Sequence, residues 1–265
     1  PVPYYYPYLY MANLDSDMTY GAMARQLEDL YGVKELSGYL PYLLEDSSMN
    51  KAFDRLDLPD QYRRYFPSSG MVRLRRGNWD ATILRGNAAL ITFQHGQCVL
   101  QAVRLATAFF GKGQFEATEM AVDEDKVLLS QSLSAPYYQP IANELIAPDG
   151  NWEAMPREQR SHSEIQNIHY ACTVLETLNG IRLRFDLNGT EGVPATLELG
   201  FRKGGKMKGA EMLPDDSESY LWNRTPVEYL TGNDVIRITG GSIQHRWTQL
   251  RGALPKLDAD SLYMT

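Results

Sequence analysis

Two Gly-Asn pairs, at positions 77–78 and 86–87, constrain the possible folds of this chain more than any other feature. Each pair separates two segments in which apolar and polar residues alternate, which is the pattern of a β-hairpin. The alternating apolar residues are Val72 and Leu74 before the first pair, Trp79, Ala81 and Ile83 between the pairs, and Ala89, Ile91 and Phe93 after the second. The pattern predicts a meander of three strands that ends at His95 and Gly96.

The run from Cys98 to Phe110 fits two structures. Its alanines favour a helix, whereas Val99, Val103 and Leu105 recur at the spacing of a strand. We favour the strand, which would extend the meander.

Alternating runs and glycine turns continue the β pattern to the end of the chain. The predicted strands are Lys126–Leu133, a hairpin of Ile168–Leu178 with Ile181–Leu187, a hairpin of Ala195–Arg202 with Lys206–Met212, and short strands at Tyr220–Trp222, Val227–Leu230 and Val235–Thr239. Many strands at regular spacing with glycine turns indicate a sandwich of antiparallel sheets. We therefore predict a mainly β fold, an antiparallel β-sandwich of supersandwich type, over residues 61–265.

Residues 1–60 have a different pattern and predict a short helical segment. The first twelve residues are rich in tyrosine and proline, which favours an extended segment over a helix. Helices are predicted at Asp17–Tyr31 with Asp17 as the cap, at Glu35–Glu45 with a kink or break at Pro41, and at Met49–Leu56. So few short helices cannot bury a sizeable core, so they must pack on the β part or on another protein.

Composition and motifs exclude several classes of function. The 265-residue chain has a net charge of −7, which argues against a general nucleic-acid binder. No apolar run is long enough to span a membrane. Phosphate-binding glycine loops, nucleophile elbows and histidine pairs at metal spacing are missing from the sequence. Cys98 and Cys172 lie in apolar runs and are predicted to be buried core residues. We predict no cofactor and no metal site, and leave a structural divalent metal open.

The stretch from Gln61 to Lys112 is basic although the chain as a whole is acidic. Its only acidic residue is Asp80, and its basic residues are Arg63, Arg64, Arg73, Arg75, Arg76, Arg85, Arg104 and Lys112. One interpretation is a solvated sheet face whose arginines pair with carboxylates elsewhere. The other is a surface that binds an anionic ligand, since the planar guanidinium suits carboxylates and sulfates.

Three side chains are candidates for chemistry or ligand binding. His95 ends a predicted strand inside the basic stretch, where it either satisfies local hydrogen bonds or projects into a groove. His162 lies in a polar segment, residues 148–163, which is the best candidate for a functional loop and could use His162 as an acid or base. Trp152 lies in the same segment and is suited to stacking on a sugar ring.

The sequence FPSSGMVRLRRGNWDATI, residues 66–83, resembles the start of the β-sandwich region of heparinase II/III-like polysaccharide lyases. In that family a Phe-Pro-x-Ser-Gly entry leads into a strand that ends in Arg-x-Gly-Asn/Asp-Trp. The segments 245–247 and 250–253 are compatible with its closing strands, so the resemblance extends from about Tyr31 onward. The family's Gly-His-Gly-His-x-Asp cluster has no full counterpart, because the corresponding region reads LITFQHGQCVL and retains only His95.

The resemblance implies a secreted or periplasmic bacterial lyase, or a fragment of one, that cleaves acidic polysaccharides by β-elimination. A tyrosine or histidine would remove the proton next to the uronate carboxylate, and cations would stabilise the enediolate. The short helices would be the tail of a helical toroid, so that a missing helical domain or partner chain supplies the other wall of the cleft.

These considerations lead to one hypothesis and two rivals. The predicted catalytic residues are His95 and His162, and the predicted contacts to the acidic polysaccharide are Arg73, Arg75, Arg76, Arg104 and Trp152. The missing histidine cluster favours the first rival, a non-catalytic glycan-binding or structural β-sandwich. The second rival is a subunit that assembles with a larger helical partner.

Overall fold

The structure is a computed structural model that describes residues 4–15, 17–49, 51, 53, 54, 56, 59–224 and 226–265. The chain divides into two compact units, Pro1–Pro59 and Asp60–Thr265. The first unit is helical and the second consists of β-sheets.

The helical unit contains α1 (Tyr5–Leu14), α2 (Met18–Leu36) and α3 (Leu40–Glu45). As predicted, Asp17 caps α2: its Oδ1 accepts a hydrogen bond of 2.8 Å from the backbone N–H of Thr19. The chain bends within α2 at Gly32, where φ is +72°. The buried core of this unit is small and consists of Tyr5, Leu9, Ala24, Leu27, Leu36 and Met49. No helix in the described part of the chain is both long and apolar enough to cross a membrane.

The prediction of an extended N-terminal segment is wrong, because Tyr5–Leu14 forms a helix. Pro7 lies in its first turn, where the backbone N–H groups have no partner inside the helix, so the missing donor costs little. Tyr5 and Leu9 are four residues apart and are both buried, and the hydroxyl of Tyr5 donates to Glu28 at 2.8 Å. Packing of one helical face therefore outweighs the preference of a tyrosine- and proline-rich sequence for an extended segment.

The two other predicted helices are only partly present. The segment 35–45 is divided, as its proline suggested: a 3₁₀ turn at Ser37–Tyr39 precedes α3, and Pro41 lies in the first turn of that helix. The predicted helix Met49–Leu56 is not formed at residues 51, 53, 54 and 56, and its residues 50, 52 and 55 lie outside the described residues.

Within its described residues, 60–224 and 226–265, the second unit contains sixteen strands. They are β1 (Gln61–Phe66), β2 (Met71–Arg76), β3 (Trp79–Leu84), β4 (Ile91–His95), β5 (Cys98–Thr107), β6 (Glu119–Val122), β7 (Lys126–Tyr138), β8 (His162–Thr177), β9 (Gly180–Asn188), β10 (Ala195–Phe201), β11 (Lys206–Lys208), β12 (Ala210–Leu213), β13 (Asp216–Trp222), β14 (Val227–Thr231), β15 (Asp234–Ile238) and β16 (Asp260–Met264).

The strands form three sheets around one core. The largest sheet has the order β1-β2-β3-β4-β5-β10-β16-β13-β12, the second β6-β7-β8-β9, and the third β11-β14-β15. All described pairs are antiparallel except β13 with β16. The core includes Leu74 and Val103 from the first sheet, Leu129 and Val174 from the second, and Tyr229 from the third. The predicted mainly β, antiparallel fold with a few N-terminal helices is confirmed.

The predicted meander is present as β2, β3 and β4, and the ambiguous run after it is the strand β5. The predicted hairpin between residues 195–202 and 206–212 is wrong. β10 instead pairs with β5 and β16, and β11 pairs with β14. The glycines at 204 and 205 suggested a local turn, but β10 is buried in the middle of the large sheet and takes both neighbours from distant parts of the chain.

A hydrogen bond joins the two larger sheets inside the core. The hydroxyl groups of Thr107 on β5 and Tyr170 on β8 are 2.6 Å apart, and both side chains are buried. The Tyr170 hydroxyl is also 3.3 Å from the carbonyl of Gly113, and its ring stacks on Phe115 with 5.3 Å between centroids. Cys98 and Cys172 are buried and unpaired, as predicted, and burial raises the pKa of the Cys172 thiol to about 12.

Replacing Tyr170 with Phe is expected to lower the free energy of unfolding by about 1–3 kcal/mol, because it leaves the buried Thr107 hydroxyl without its partner. Urea denaturation followed by tryptophan fluorescence measures this change. All four tryptophans, Trp79, Trp152, Trp222 and Trp247, lie in the second unit, so the signal reports on the sandwich alone. Tyr137→Phe, at an exposed side chain on β7, is the matched control and should have little effect. Equal stability of the two variants would contradict a stabilising role for the hydrogen bond between Thr107 and Tyr170.

Candidate functional site

The strand register separates His95 from two of the three arginines that precede the first Gly-Asn pair. Arg75 pairs with Asp80, and Asp80 pairs with Gln94. Trp79 is in register with His95. Residues in register share a face of a sheet and successive residues alternate between faces, so Arg73 and Arg75 lie on the face opposite to His95. Arg76, in contrast, is in register with Trp79 and shares the face of His95, and Arg75 and His95 both line one depression beside the Gly77-Asn78 turn.

Arg73 and Arg76 are held by partners within the protein. Nη2 of Arg73 is 3.2 Å from Oδ1 of Asp80, and its Nη1 donates to the Thr82 hydroxyl at 2.6 Å. Nε of Arg76 is 2.5 Å from Oε1 of Glu176, and its Nη2 donates to Oε2 of the same residue at 3.0 Å. The Arg76–Glu176 pair connects β2 to β8, so Arg76 links two sheets instead of presenting a free guanidinium to a ligand.

Arg104 is buried and forms part of an internal polar network. Its Nη1 is 3.2 Å from Oε2 of Glu198 and donates to the carbonyl of Pro255 at 3.0 Å. Oε1 of Glu198 also accepts hydrogen bonds from Ser261 at 3.0 Å and Tyr263 at 3.2 Å. Burial and the charge of Glu198 raise the pKa of Tyr263 to about 12, which keeps its hydroxyl protonated as a donor.

The space beside Arg104 is too small for a saccharide. A cavity of about 20 Å³ adjoins its side chain, which is room for about one water molecule. The described contacts of Arg104 are internal, to Glu198 and to the segment that precedes β16, and its predicted contact to a glycan stays a prediction from the sequence.

His95 lies at an open polar depression. The depression has a volume of about 410 Å³ and is lined by Arg75, Gly77, Asn78, Asp80, Gln94, His95, Gly96 and Asp234. Nδ1 of His95 is buried and has no hydrogen-bond partner among the described residues. Arg75 is exposed and its guanidinium has no described partner, so of the four predicted arginines it alone faces solvent unpaired.

Trp152 and His162, by contrast, lie together in a cluster of arginine and aromatic side chains. We name this group, Tyr138, Trp152, Arg157, Arg160 and His162, the arginine–aromatic cluster. The guanidinium carbon of Arg160 is 4.4 Å from the ring centroid of Tyr138 and 5.4 Å from that of Trp152. Arg157 is 5.8 Å from the Trp152 ring, and the His162 ring meets Tyr138 edge-on at 6.4 Å.

The connection between β7 and β8 positions this cluster. The backbone N–H of Asn151 donates to Asp149 at 3.0 Å, and the side chain of Asn151 accepts from the N–H of Glu153 at 3.1 Å, which fixes the turn around Trp152. Gly150 between them has φ of +70°. The base of the connection is closed by a 2.8 Å hydrogen bond from the N–H of Gln139 to the carbonyl of Ser161.

The two arginines of the cluster differ in their partners. Arg157 forms an ion pair with Glu153, at 3.3 Å from Nη1 and 2.8 Å from Nη2. Arg160 donates from Nε to the carbonyl of Arg157 at 3.0 Å, and its two terminal nitrogens have no partner among the described residues. Tyr138 and Trp152 are 46% and 44% exposed. The cluster therefore offers one free guanidinium edge between two accessible rings, and a stacked cation of this kind is already oriented for a ligand.

His162 lies at the first residue of β8 in the second sheet, whereas His95 lies on β4 of the first sheet, near the strand that contacts the other end of β8. His162 pairs with Tyr138 at the first residue of β8, whereas Arg76, two register pairs from His95, contacts Glu176 near the last residue of β8. Fourteen residues of strand between His162 and Glu176 correspond to about 45 Å. The two predicted catalytic residues therefore do not share a site.

Sequence analysis missed Tyr138 and Arg160. The polar segment contains Arg157 and Arg160 close to Trp152, so the association of a tryptophan with arginines could have been found there. Tyr138 enters the cluster through the pairing of β7 with β8, which local sequence does not encode. In the described part of the chain, no group of three or more histidine, cysteine or acidic side chains could hold a metal ion.

Comparisons with known proteins give no match: no family model, no curated protein and no solved structure is similar to this chain. The resemblance to heparinase-like lyases therefore stays a prediction from the sequence.

Replacing Arg104 with Met is expected to lower the free energy of unfolding by about 3–5 kcal/mol, because it leaves the carboxylate of Glu198 buried without its cation. Urea denaturation is again the measurement. Arg75→Met removes an exposed, unpaired guanidinium from the same sheet and should change stability by less than about 0.5 kcal/mol.

Adding Glu198→Leu to Arg104→Met should recover much of the lost stability, since the unpaired charge is then removed. If Arg104→Met is as stable as Arg75→Met, the ion pair between Arg104 and Glu198 does not stabilise the fold.

Proposed function

We propose that the sandwich unit binds an acidic glycan through the arginine–aromatic cluster. The observation that carries this proposal is the guanidinium of Arg160, which lies against the rings of Tyr138 and Trp152 and whose terminal nitrogens have no partner among the described residues. A uronate sugar combines the two features that such a surface recognises, an apolar ring face and a carboxylate.

The chemistry of the cluster suits this ligand. An exposed indole gives an apolar face on which the C–H side of a sugar ring can stack. The two free terminal nitrogens of Arg160 can donate two parallel hydrogen bonds to one carboxylate. The stacked position of Arg160 limits its rotamers before binding, which lowers the entropy lost when the ligand binds. His162 at the edge of the Tyr138 ring adds a further hydrogen-bonding group.

Binding, and not β-elimination, is the activity that this geometry supports best. Elimination requires the base and the groups that stabilise the enediolate to act on one sugar. His162 and Glu176 are about 45 Å apart along β8, and His95 lies toward the Glu176 end, two register pairs from Arg76. Arg73, Arg76 and Arg104 are paired with carboxylates. The non-catalytic glycan-binding alternative therefore accounts for more of the observations.

Replacing Arg160 with Met is expected to weaken binding to uronate-containing oligosaccharides by about 10- to 100-fold, the effect of losing charge-assisted hydrogen bonds of about 1.5–3 kcal/mol. Trp152→Ala should weaken it by about 10-fold through loss of the stacking surface. Isothermal titration calorimetry with hyaluronan, chondroitin and polygalacturonate oligosaccharides measures both effects.

Arg182→Met is the matched control, because Arg182 is exposed on β9, has no described partner and pairs with Leu175 at the other end of β8. It should leave binding unchanged. Equal losses for Arg182→Met and Arg160→Met would indicate a general charge effect and would contradict the proposal. The same mixtures should show no rise in the ultraviolet absorbance of an unsaturated uronate; a rise would establish a lyase instead of a binding module.

A further inference from the structure

The charges around the arginine–aromatic cluster limit which acidic glycan it can accept. We infer that the cluster selects an unsulfated, sparsely charged glycan through a single carboxylate, and discriminates against densely sulfated polymers. This inference rests on the proposed function and specifies the ligand of the same site.

The first argument is that the cluster has only one uncompensated arginine. The guanidinium of Arg157 is paired with Glu153 through both terminal nitrogens, whereas the terminal nitrogens of Arg160 have no described partner. One free guanidinium can form one bidentate contact to one anionic group. A polymer that carries several charges per disaccharide would leave its other anionic groups at this surface without a cation.

The second argument is that the surrounding segment is acidic. Residues 143–164 carry five carboxylates and two arginines; the carboxylates are Glu144, Asp149, Glu153, Glu158 and Glu164, and all five residues are exposed. Four of these carboxylates have no cation opposite them among the described residues, since Glu153 alone is in an ion pair. Exposed charges act over about 8–10 Å at moderate ionic strength, so a nearby carboxylate repels each additional sulfate on the ligand.

The free guanidinium of Arg160 and the exposed carboxylates have opposite effects on a ligand: the first attracts one anionic group, and the second repel any others. Arg160, stacked between two rings, attracts a carboxylate that arrives with a sugar face. The exposed carboxylates of residues 143–164 penalise further negative charge, as expected of a site that gains selectivity from repulsion as well as attraction. Neutral hydroxyl groups on the neighbouring sugars, in contrast, can donate hydrogen bonds to the same carboxylates.

The test compares each glycan with its own sulfated derivative. Oligosaccharides of hyaluronan and unsulfated chondroitin, equal in length, are titrated into the whole protein before and after chemical O-sulfation. We expect the unsulfated form of at least one to bind about 10-fold or more tightly than its sulfated form at low ionic strength, and the difference to shrink as salt screens the repulsion.

A charge-removing variant provides the second measurement. The double substitution Glu158→Gln and Glu164→Gln should raise affinity for the sulfated forms by several fold and change affinity for the unsulfated forms much less. Glu119→Gln and Glu124→Gln, two exposed carboxylates outside residues 143–164, form the matched control and should leave the ratio unchanged.

The outcomes separate the two proposals. If sulfated glycans bind as tightly as unsulfated ones or more tightly, and Arg160→Met still abolishes binding, the selectivity is overturned and the proposed function stands. If no glycan binds, or if binding is insensitive to Arg160→Met, the proposed function is overturned together with the inference.

Discussion

The hydrogen bond between Thr107 and Tyr170 joins the two larger sheets inside the core, and the position of the candidate site depends on that junction. It fixes the middle of β8, while the Arg76–Glu176 pair fixes its far end. The near end of β8 carries exposed side chains in its first four residues and is stabilised by pairing with β7. A long antiparallel pair anchored in the core is a rigid support for the connection that carries Trp152, which favours recognition with little rearrangement.

Sequence patterns gave the fold correctly where the interactions are local. The Gly-Asn pairs predicted the meander because turn geometry sets the register of adjacent strands. Pairing between distant segments could not be predicted in this way: β10 lies between β5 and β16, which are about 90 residues before it and 60 after it in the chain. The N-terminal helix was missed for a related reason, since its stability comes from packing of Tyr5 and Leu9 and not from the propensity of its residues.

In the candidate site, too, contacts within one segment could be predicted from the sequence, whereas contacts made by pairing of distant strands could not. The alternation of side chains along β2, β3 and β4 already implied that Arg75 and His95 lie on opposite faces of the sheet. Both nevertheless line the depression beside the Gly77-Asn78 turn, which alternation alone does not predict. The buried partner of Arg104 could not have been identified, because Glu198 lies on β10 and reaches Arg104 only through long-range pairing. Trp152 and His162 were both assigned to one polar segment, because only about ten residues separate them. Tyr138, which His162 contacts, is brought to this segment by the pairing of β7 with β8.

Net charge along the sequence is a poor guide to where an anion can bind, and this protein shows the physical reason. In the basic stretch, the arginines at 73, 76 and 104 are compensated by carboxylates brought to them by the fold. In the acidic segment around Trp152, Arg160 keeps a free edge because two rings occupy its faces and a backbone carbonyl occupies its Nε. What a ligand meets is the set of charges left without partners after folding. By that measure, the acidic segment presents one cation that lies between two rings. In the basic stretch, Arg75, Arg85 and Lys112 are exposed without a described carboxylate partner, and Arg64 lies over the single ring of Phe66.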